Sequence, residues 1–318
     1  MNPITIQTHN LTRDFKQLRA VDGLTIEVTQ SAIFGLLGPN GAGKTTTIRL
    51  LLGLLEPTAG HAKVLGFDCH TQASGIRDRT GVLFEHSGLY ERLSAEENLD
   101  FFGRIWHLSA GERRSRMKDL LYHFDLWDRR KEIVRTLSRG MRRKLAIARV
   151  LFHRPNLIFL DEPTSGLDPI ASAALREDLR NLTESEGATV FLTTHNLAEA
   201  EQICTQVAVI RKGKLLAKGD PKDLANEGIA LKVVIIGSNF GDNIPTLLGM
   251  NDEVVSVKVN ENQLIVELNK NIEIAPLVNL IVNEGAQVEE VHKNRTSLEE
   301  AFLKLMAEEN DYRHMDNN

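Results

Sequence analysis

A chain of 318 residues, 42% hydrophobic and 25% charged, has the make-up of an ordinary soluble globular protein, long enough for one large core and a smaller second one. A net charge of −5 argues against a nucleic-acid surface, and the longest apolar runs, Leu50 to Leu55 and Leu157 to Leu160, are far too short to cross a bilayer, so any membrane role must come through a partner. The N-terminus MNPITIQTHN lacks the basic and apolar segments of a secretion signal, Cys69 and Cys204 are the only cysteines, and the histidines form no H-E-x-x-H pattern; the expectation is a cytoplasmic protein with reduced, structural thiols and no metal site built from protein ligands alone.

In chain order, the apolar run Ser31 to Leu37 breaks into GPNGAGKTT and then the helical pattern TTIRLLLGLL, a strand, a glycine-rich loop and a helix. Further short apolar runs at Gly81 to Phe84, Leu157 to Leu160, Thr189 to Thr193 and Val207 to Ile210 alternate with helix-like stretches, which predicts a parallel sheet covered on both faces. Between about Ser94 and Arg135 the sequence turns charged and helical, opening with a capping box in Ser94 and Glu97. The helix after Leu137 carries an apolar stripe of Met141, Leu145, Ala148 and Phe152, with Arg142, Arg149 and their neighbours off it. A solvated basic face is the expectation there, and no nucleic acid is expected as a partner.

After the turn-rich, charged stretch Arg211 to Gly228 the pattern starts again. Strand-like LKVVIIG, helical IPTLLGM, strand-like EVVSVKV and QLIVEL, helical IAPLVNLIVNEG and strand-like AQVEEVHK give the order β-α-β-β-α-β of a ferredoxin-like domain. A last helix, Ser297 to Glu308, opens with a second capping-box pair, Ser297 and Glu300, and the tail NDYRHMDNN reads as disordered. The expected domains are 2–228, with a helical subdomain at about 94–153, then a small α+β domain at 229–309 and a tail at 310–318.

GPNGAGKT, Gly38 to Thr45, fits G-x-x-x-x-G-K-[ST] between a strand and a helix. In the phosphate-binding loop Gly38, Pro39, Asn40, Gly41, Ala42 and Gly43 the glycines let backbone amides turn toward a phosphate, Lys44 reaches its terminal groups, and Thr45 and Thr46 open the helix whose positive end faces the charge. Thr45 also offers a hydroxyl to Mg²⁺. LIFLDE delivers Asp161 and Glu162 to the carboxyl edge of the sheet: Asp161 suits an outer partner of the metal, and Glu162 a base that orients the attacking water.

With LSRGM before LDEP, the loop SGLD and the strand end TTH at Thr193 to His195, the motif set from Asn2 to Gly228 resembles that of ABC ATPases. The resemblance implies an α/β P-loop ABC ATPase core with a helical subdomain, followed here by the small α+β C-terminal domain. It implies ATP and Mg²⁺, and a homodimer in which Ser138 and Gly140 meet the γ-phosphate bound by the opposite subunit. By the same resemblance His195 contacts the γ-phosphate, Phe15 stacks on adenine and Asp168 crosses the dimer interface. A half-buried phenylalanine and a helix N-cap ahead of Pro169 are the plainer accounts of Phe15 and Asp168.

Two positions depart from the pattern: Arg139 and Met141 replace the Gly and Gln of LSGGQ, and Glu85 replaces the Q-loop glutamine. A carboxylate at Glu85 can ligand Mg²⁺ or repel the nucleotide, and metal contact is the expectation. Glu85, GLYERLSAEENL and the C-terminal TSLEEAFLKLMA resemble the branch of cytoplasmic ATPases that serve drug, antibiotic or ion export with a separate multi-span membrane permease. That resemblance implies an ATP hydrolase peripheral on the inner face of the cell membrane. The alternative is a soluble ABC ATPase acting on nucleic acid or the ribosome, and neither the second cassette nor the long coiled coil of such proteins is present.

Overall fold

The computed structural model describes residues 3–84, 87–226, 231–260, 262–269, 272–294 and 298–303. Glu85, Ser297 and the tail 310–318 therefore lie outside the described residues. Two compact units divide the chain, Met1–Asp220 and Pro221–Asn318, a boundary a few residues ahead of the one expected at Gly228.

The first unit opens with β1 (Ile4–Phe15), β2 (Leu18–Leu24) and β3 (Glu27–Thr29), followed by β4 (Ile33–Leu37) and α1 (Lys44–Leu51), then β5 (Ala59–Val64), β6 (Phe67–Asp68), α2 (Ala73–Arg77) and β7 (Thr80–Leu83). The helical part holds α3 (Ala95–Ile105), α4 (Ala110–His123) and α5 (Arg139–Leu151); β8 (Leu157–Asp161), α6 (Pro169–Glu186), β9 (Thr189–Thr194), α7 (Leu197–Ile203), β10 (Gln206–Arg211) and β11 (Lys214–Gly219) complete the unit.

The five strands read from the sequence join β11, which lies in the stretch read as turns, in one sheet of order β11-β10-β4-β9-β8-β7, parallel except for the β10–β11 hairpin. Every residue of β4, β8 and β9 is buried, as continuous apolar strands covered on both faces must be. Register places Leu37 beside Thr194 and Asp161 beside Thr193, so the carboxyl ends of β4, β8 and β9 finish at one edge. The two thiols are buried and free; burial pushes the Cys69 thiol up to about 12, which keeps it protonated.

A second, antiparallel sheet, β2-β1-β5-β6 with β3 on β1, was not expected from the sequence. Its longest strand, ITIQTHNLTRDF, mixes buried and exposed positions without a regular alternation and is too polar to stand out as an apolar run. The capping box of α3 is formed: Ser94 Oγ accepts from the Glu97 amide at 3.2 Å and Glu97 Oε2 accepts from the Ser94 amide at 2.7 Å. Ser109 and Glu112 repeat it on α4.

The solvated basic face expected on α5 is corrected in part: Arg139 is exposed and Arg142 and Lys144 are partly exposed beside Glu91 and Asp125, but Arg143 and Arg149 turn inward. Arg143 is buried, and half-buried Arg149 lays its guanidinium 4.9 Å from the Phe102 ring centre while donating to the Val82 carbonyl at 2.8 Å. Burial lowers the Arg149 pKa to about 10. The face of the helix toward β7 and α3 is buried through Arg143, Leu145 to Ala148, Val150 and Leu151, so the arginines on that side must find carbonyls. His153, just beyond α5, stacks on Trp106 at 3.9 Å and 11°.

The second unit contains α8 (Pro221–Asn226), β12 (Leu231–Ser238), α9 (Asn243–Gly249), β13 (Val254–Asn260), β14 (Gln263–Leu268), α10 (Ala275–Asn283) and β15 (Gln287–Asn294). Its sheet runs β13-β14-β12-β15, antiparallel throughout, in the β-α-β-β-α-β order read from the sequence. Alternate residues Val233, Ile235, Leu264 and Val266 pack with Ile244, Leu248, Leu277 and Ile281 of the two helices.

Candidate active site

The loop after β4 is shaped by backbone more than by side chains. Gly43 stands at φ 107, and a Cβ there would lie 2.3 Å from the Ala20 carbonyl, so both conformation and space demand glycine. As N-cap of α1 it supplies no side chain to occupy the first-turn amides. Those of Lys44, Thr45 and Thr46 are left for a ligand by the geometry of any helix start, where an anion is favoured. Lys44, 6% exposed, donates through Nζ to the carbonyls of Gly38 at 2.8 Å and Pro39 at 3.3 Å, which holds its charge at the loop's centre.

Asp161 ends β8, 3% exposed, and its carboxylate receives two hydroxyls: Thr45 Oγ1 donates to Oδ2 at 2.7 Å and Thr193 Oγ1 to Oδ1 at 2.5 Å. The neighbouring Glu162 adopts φ 50, a left-handed backbone that costs a non-glycine residue on the order of 1–2 kcal/mol. That turn swings its side chain out of the strand direction. Oε2 lies 2.9 Å from His195 Nδ1, and Oε1 is a buried oxygen without a hydrogen bond, held 3.2 Å from Lys44 Nζ as an ion pair.

Phe15 closes β1 opposite Leu18 at the hairpin tip, 39% exposed, with the Arg13 guanidinium 4.6 Å from its ring centre. Phe15, Pro39 to Thr46, Asp161, Glu162 and His195 line one cleft of about 570 Å³, together with Leu18, Ala20, Arg49 and Ser165. Ser138, Gly140 and Asp168 are not among its lining residues. Ser138 caps α5, accepting from the Met141 amide at 3.2 Å, and exposed Asp168 caps α6, accepting from Ala171 at 2.8 Å. The cap foreseen for Asp168 is therefore present.

One cleft thus joins an aromatic edge, a helix start with no side-chain cap, a buried lysine and two carboxylates, the order of chemistry that a nucleoside triphosphate asks for. A family model described as "ABC transporter" matches residues 21–165, and a daunorubicin resistance ATP-binding protein of Streptomyces coeruleorubidus is 37% identical over 92% of each chain. The chain belongs to the ABC transporter family. This ABC subunit binds ATP and hydrolyses it. The bacitracin transport ATP-binding protein of Bacillus licheniformis is 33% identical over 95% of this chain and 97% of that protein. A solved ATP-binding subunit of an ABC transporter superposes with a TM-score of 0.65 at 31% identity, covering 70% of this chain and 92% of that one.

Two residues of this ABC site escaped the sequence reading. Thr193 lay in the strand end TTH without a role of its own, although a hydroxyl beside a buried carboxylate in parallel register is a usable signal. Arg143 belongs to a second stripe of α5, with Ala146, Ile147 and Val150, whose i, i+3, i+4, i+7 spacing marks it as inward-facing.

Proposed function

We propose that this chain is the ATP-hydrolysing subunit of an exporter, closing as a homodimer around two ATP molecules and thereby driving a separate multi-span membrane subunit from the inner face of the membrane. The observation that carries the reading is Glu162: a carboxylate turned into the cleft by a left-handed residue, with Oε1 free of hydrogen bonds beside Lys44. Such an oxygen is placed to orient a water and take its proton. Lys44 and the α1 amides take the phosphates, and Phe15 takes the base. His195, with Nδ1 at 2.9 Å from Glu162 Oε2, keeps its other ring nitrogen for a terminal phosphate.

The hard-oxygen pair Thr45 and Asp161 at the cleft wall fits Mg²⁺, which would neutralise phosphate charge when bound with the nucleotide. Among the described residues no group of three or more His, Cys, Asp or Glu is placed to hold a metal ion, so most of its ligands must come from nucleotide and water. Glu85 is kept as a further ligand on the strength of its motif position alone. Ser138, Gly140 and Asp168 support the dimer, since they lie outside this chain's cleft while belonging to motifs directed at ATP.

Export is supported by the likeness to the daunorubicin resistance and bacitracin transport proteins, and a separate membrane chain by the finding that no helix among the described residues is long and apolar enough to cross a membrane. The test is purification of the tagged chain with the membrane protein encoded beside it. Co-elution of a multi-span protein that raises ATP turnover is the expected result; recovery with ribosomes or nucleic acid would contradict it.

A further inference from the structure

Arg143 donates to four carbonyls at the back of the catalytic turn. Its Nε reaches Pro163 at 2.9 Å, Nη2 reaches Glu162 at 2.6 Å and Asp161 at 3.2 Å, and Nη1 reaches Phe84, the residue ahead of Glu85, at 3.3 Å. The guanidinium comes from α5, whose N-terminus is the Ser138 signature. One turn earlier, Arg139 lies against Gly166: a Cβ on Gly166, itself at φ 81, would come within 2.3 Å of Arg139 Nε. Arg143 thus holds the Glu162 end of the segment from Glu162 to Gly166, and Arg139 lies against the other. On the other side, the Glu162 amide donates to the Thr193 carbonyl at 3.1 Å.

A residue forced into left-handed backbone keeps that conformation only if its peptide groups are held from both sides. Arg143 supplies one of the two holds, and its planar fork suits several carbonyls at once, as an ammonium does not. We propose that Arg143 is a positioning residue for Glu162, transmitting the placement of the signature helix through the Asp161, Glu162 and Pro163 carbonyls to the carboxylate of the same chain. Engagement of Ser138 by a partner's nucleotide would then bear on hydrolysis in cis as well as in trans. The inference rests on Glu162 being the base.

The experiment is a double-mutant cycle in the full-length chain, read by single-turnover hydrolysis and by nucleotide binding. Arg143→Ala and Arg143→Lys should lower the rate about 10-fold or more with the ATP KM changed less than about 3-fold, a loss confined to positioning. In the Glu162→Gln background the same changes should cost less than about 2-fold, because the group they position is gone. Millimolar ethylguanidinium should restore part of the Arg143→Ala rate and none of the Glu162→Gln rate. Equal losses in both backgrounds, or a loss explained by weaker nucleotide binding or an unfolded protein, would overturn the role of Arg143 while leaving Glu162 as base. Normal turnover in Glu162→Gln alone would remove the base assignment and this inference with it.

Discussion

Thr193→Val removes one hydroxyl and almost no volume from the floor of the site. Asp161, 3% exposed, would keep the Thr45 hydroxyl at 2.7 Å and lose the Thr193 hydroxyl at 2.5 Å, leaving one oxygen of a buried carboxylate facing a methyl group. The Glu162 amide loses a 3.3 Å contact with the Thr193 hydroxyl but keeps its 3.1 Å bond to the Thr193 carbonyl, so the backbone hold survives and most of the loss falls on the charge. A hydrogen bond to a buried charged group contributes about 1.5–3 kcal/mol. At about 2–4 °C per kcal/mol for a unit of this size, melting of the nucleotide-free protein should fall by about 3–12 °C. Calorimetry of wild type, Thr193→Val and Thr193→Ser measures it, and the serine, which restores the hydroxyl, should recover most of the loss. A valine variant as stable as the serine would refute the claim that Thr193 holds Asp161.

Three further outcomes follow from other parts of the molecule. His153 stacks on Trp106 with both ring nitrogens buried, and burial lowers its pKa to about 4. Because the folded pKa lies below the unfolded one, the unfolded state binds more protons between about pH 6.5 and 4, and stability present above that window is lost as pH falls through it, by up to about 3 kcal/mol. His153→Phe, which keeps the stack, should flatten that slope in denaturant titrations, and an unchanged slope would place the titration elsewhere. Phe15→Ala should weaken ATP binding about 10-fold, as loss of one stacked base does, with the bound turnover unchanged; unaltered affinity would return Phe15 to an ordinary half-buried residue. Mixing Lys44→Ala with Ser138→Arg chains should regain ATPase through heterodimers with one intact site, and heterodimers no better than either parent would contradict a shared site.

The parallel sheet was legible because strands buried on both faces must be continuous apolar runs, and β4, β8 and β9 are buried at every residue. The second unit was legible for the complementary reason, an alternation of apolar and polar residues on β12 and β14 with helices between. The antiparallel sheet around β1 was not, since its polar strands gain stability from pairing and turn geometry that no local run reveals. At the site, motif spacing pointed to Lys44, Thr45, Asp161, Glu162 and His195, which line one cleft. The same spacing hid Arg143: arginine is the residue expected on a solvated face, and only the carbonyls turned toward it by the backbone of Glu162 make burial affordable.

The most direct test of the account is the ATP turnover of Glu162→Gln, with the oligomeric state measured in the same sample. The amide keeps the shape and the contact with His195 but cannot accept the proton of the attacking water. The account requires that ATP still binds, that hydrolysis falls by about 10² or more, and that the protein collects as an ATP-bound dimer. Turnover near that of the wild type, or a protein that stays monomeric with ATP bound, would contradict it.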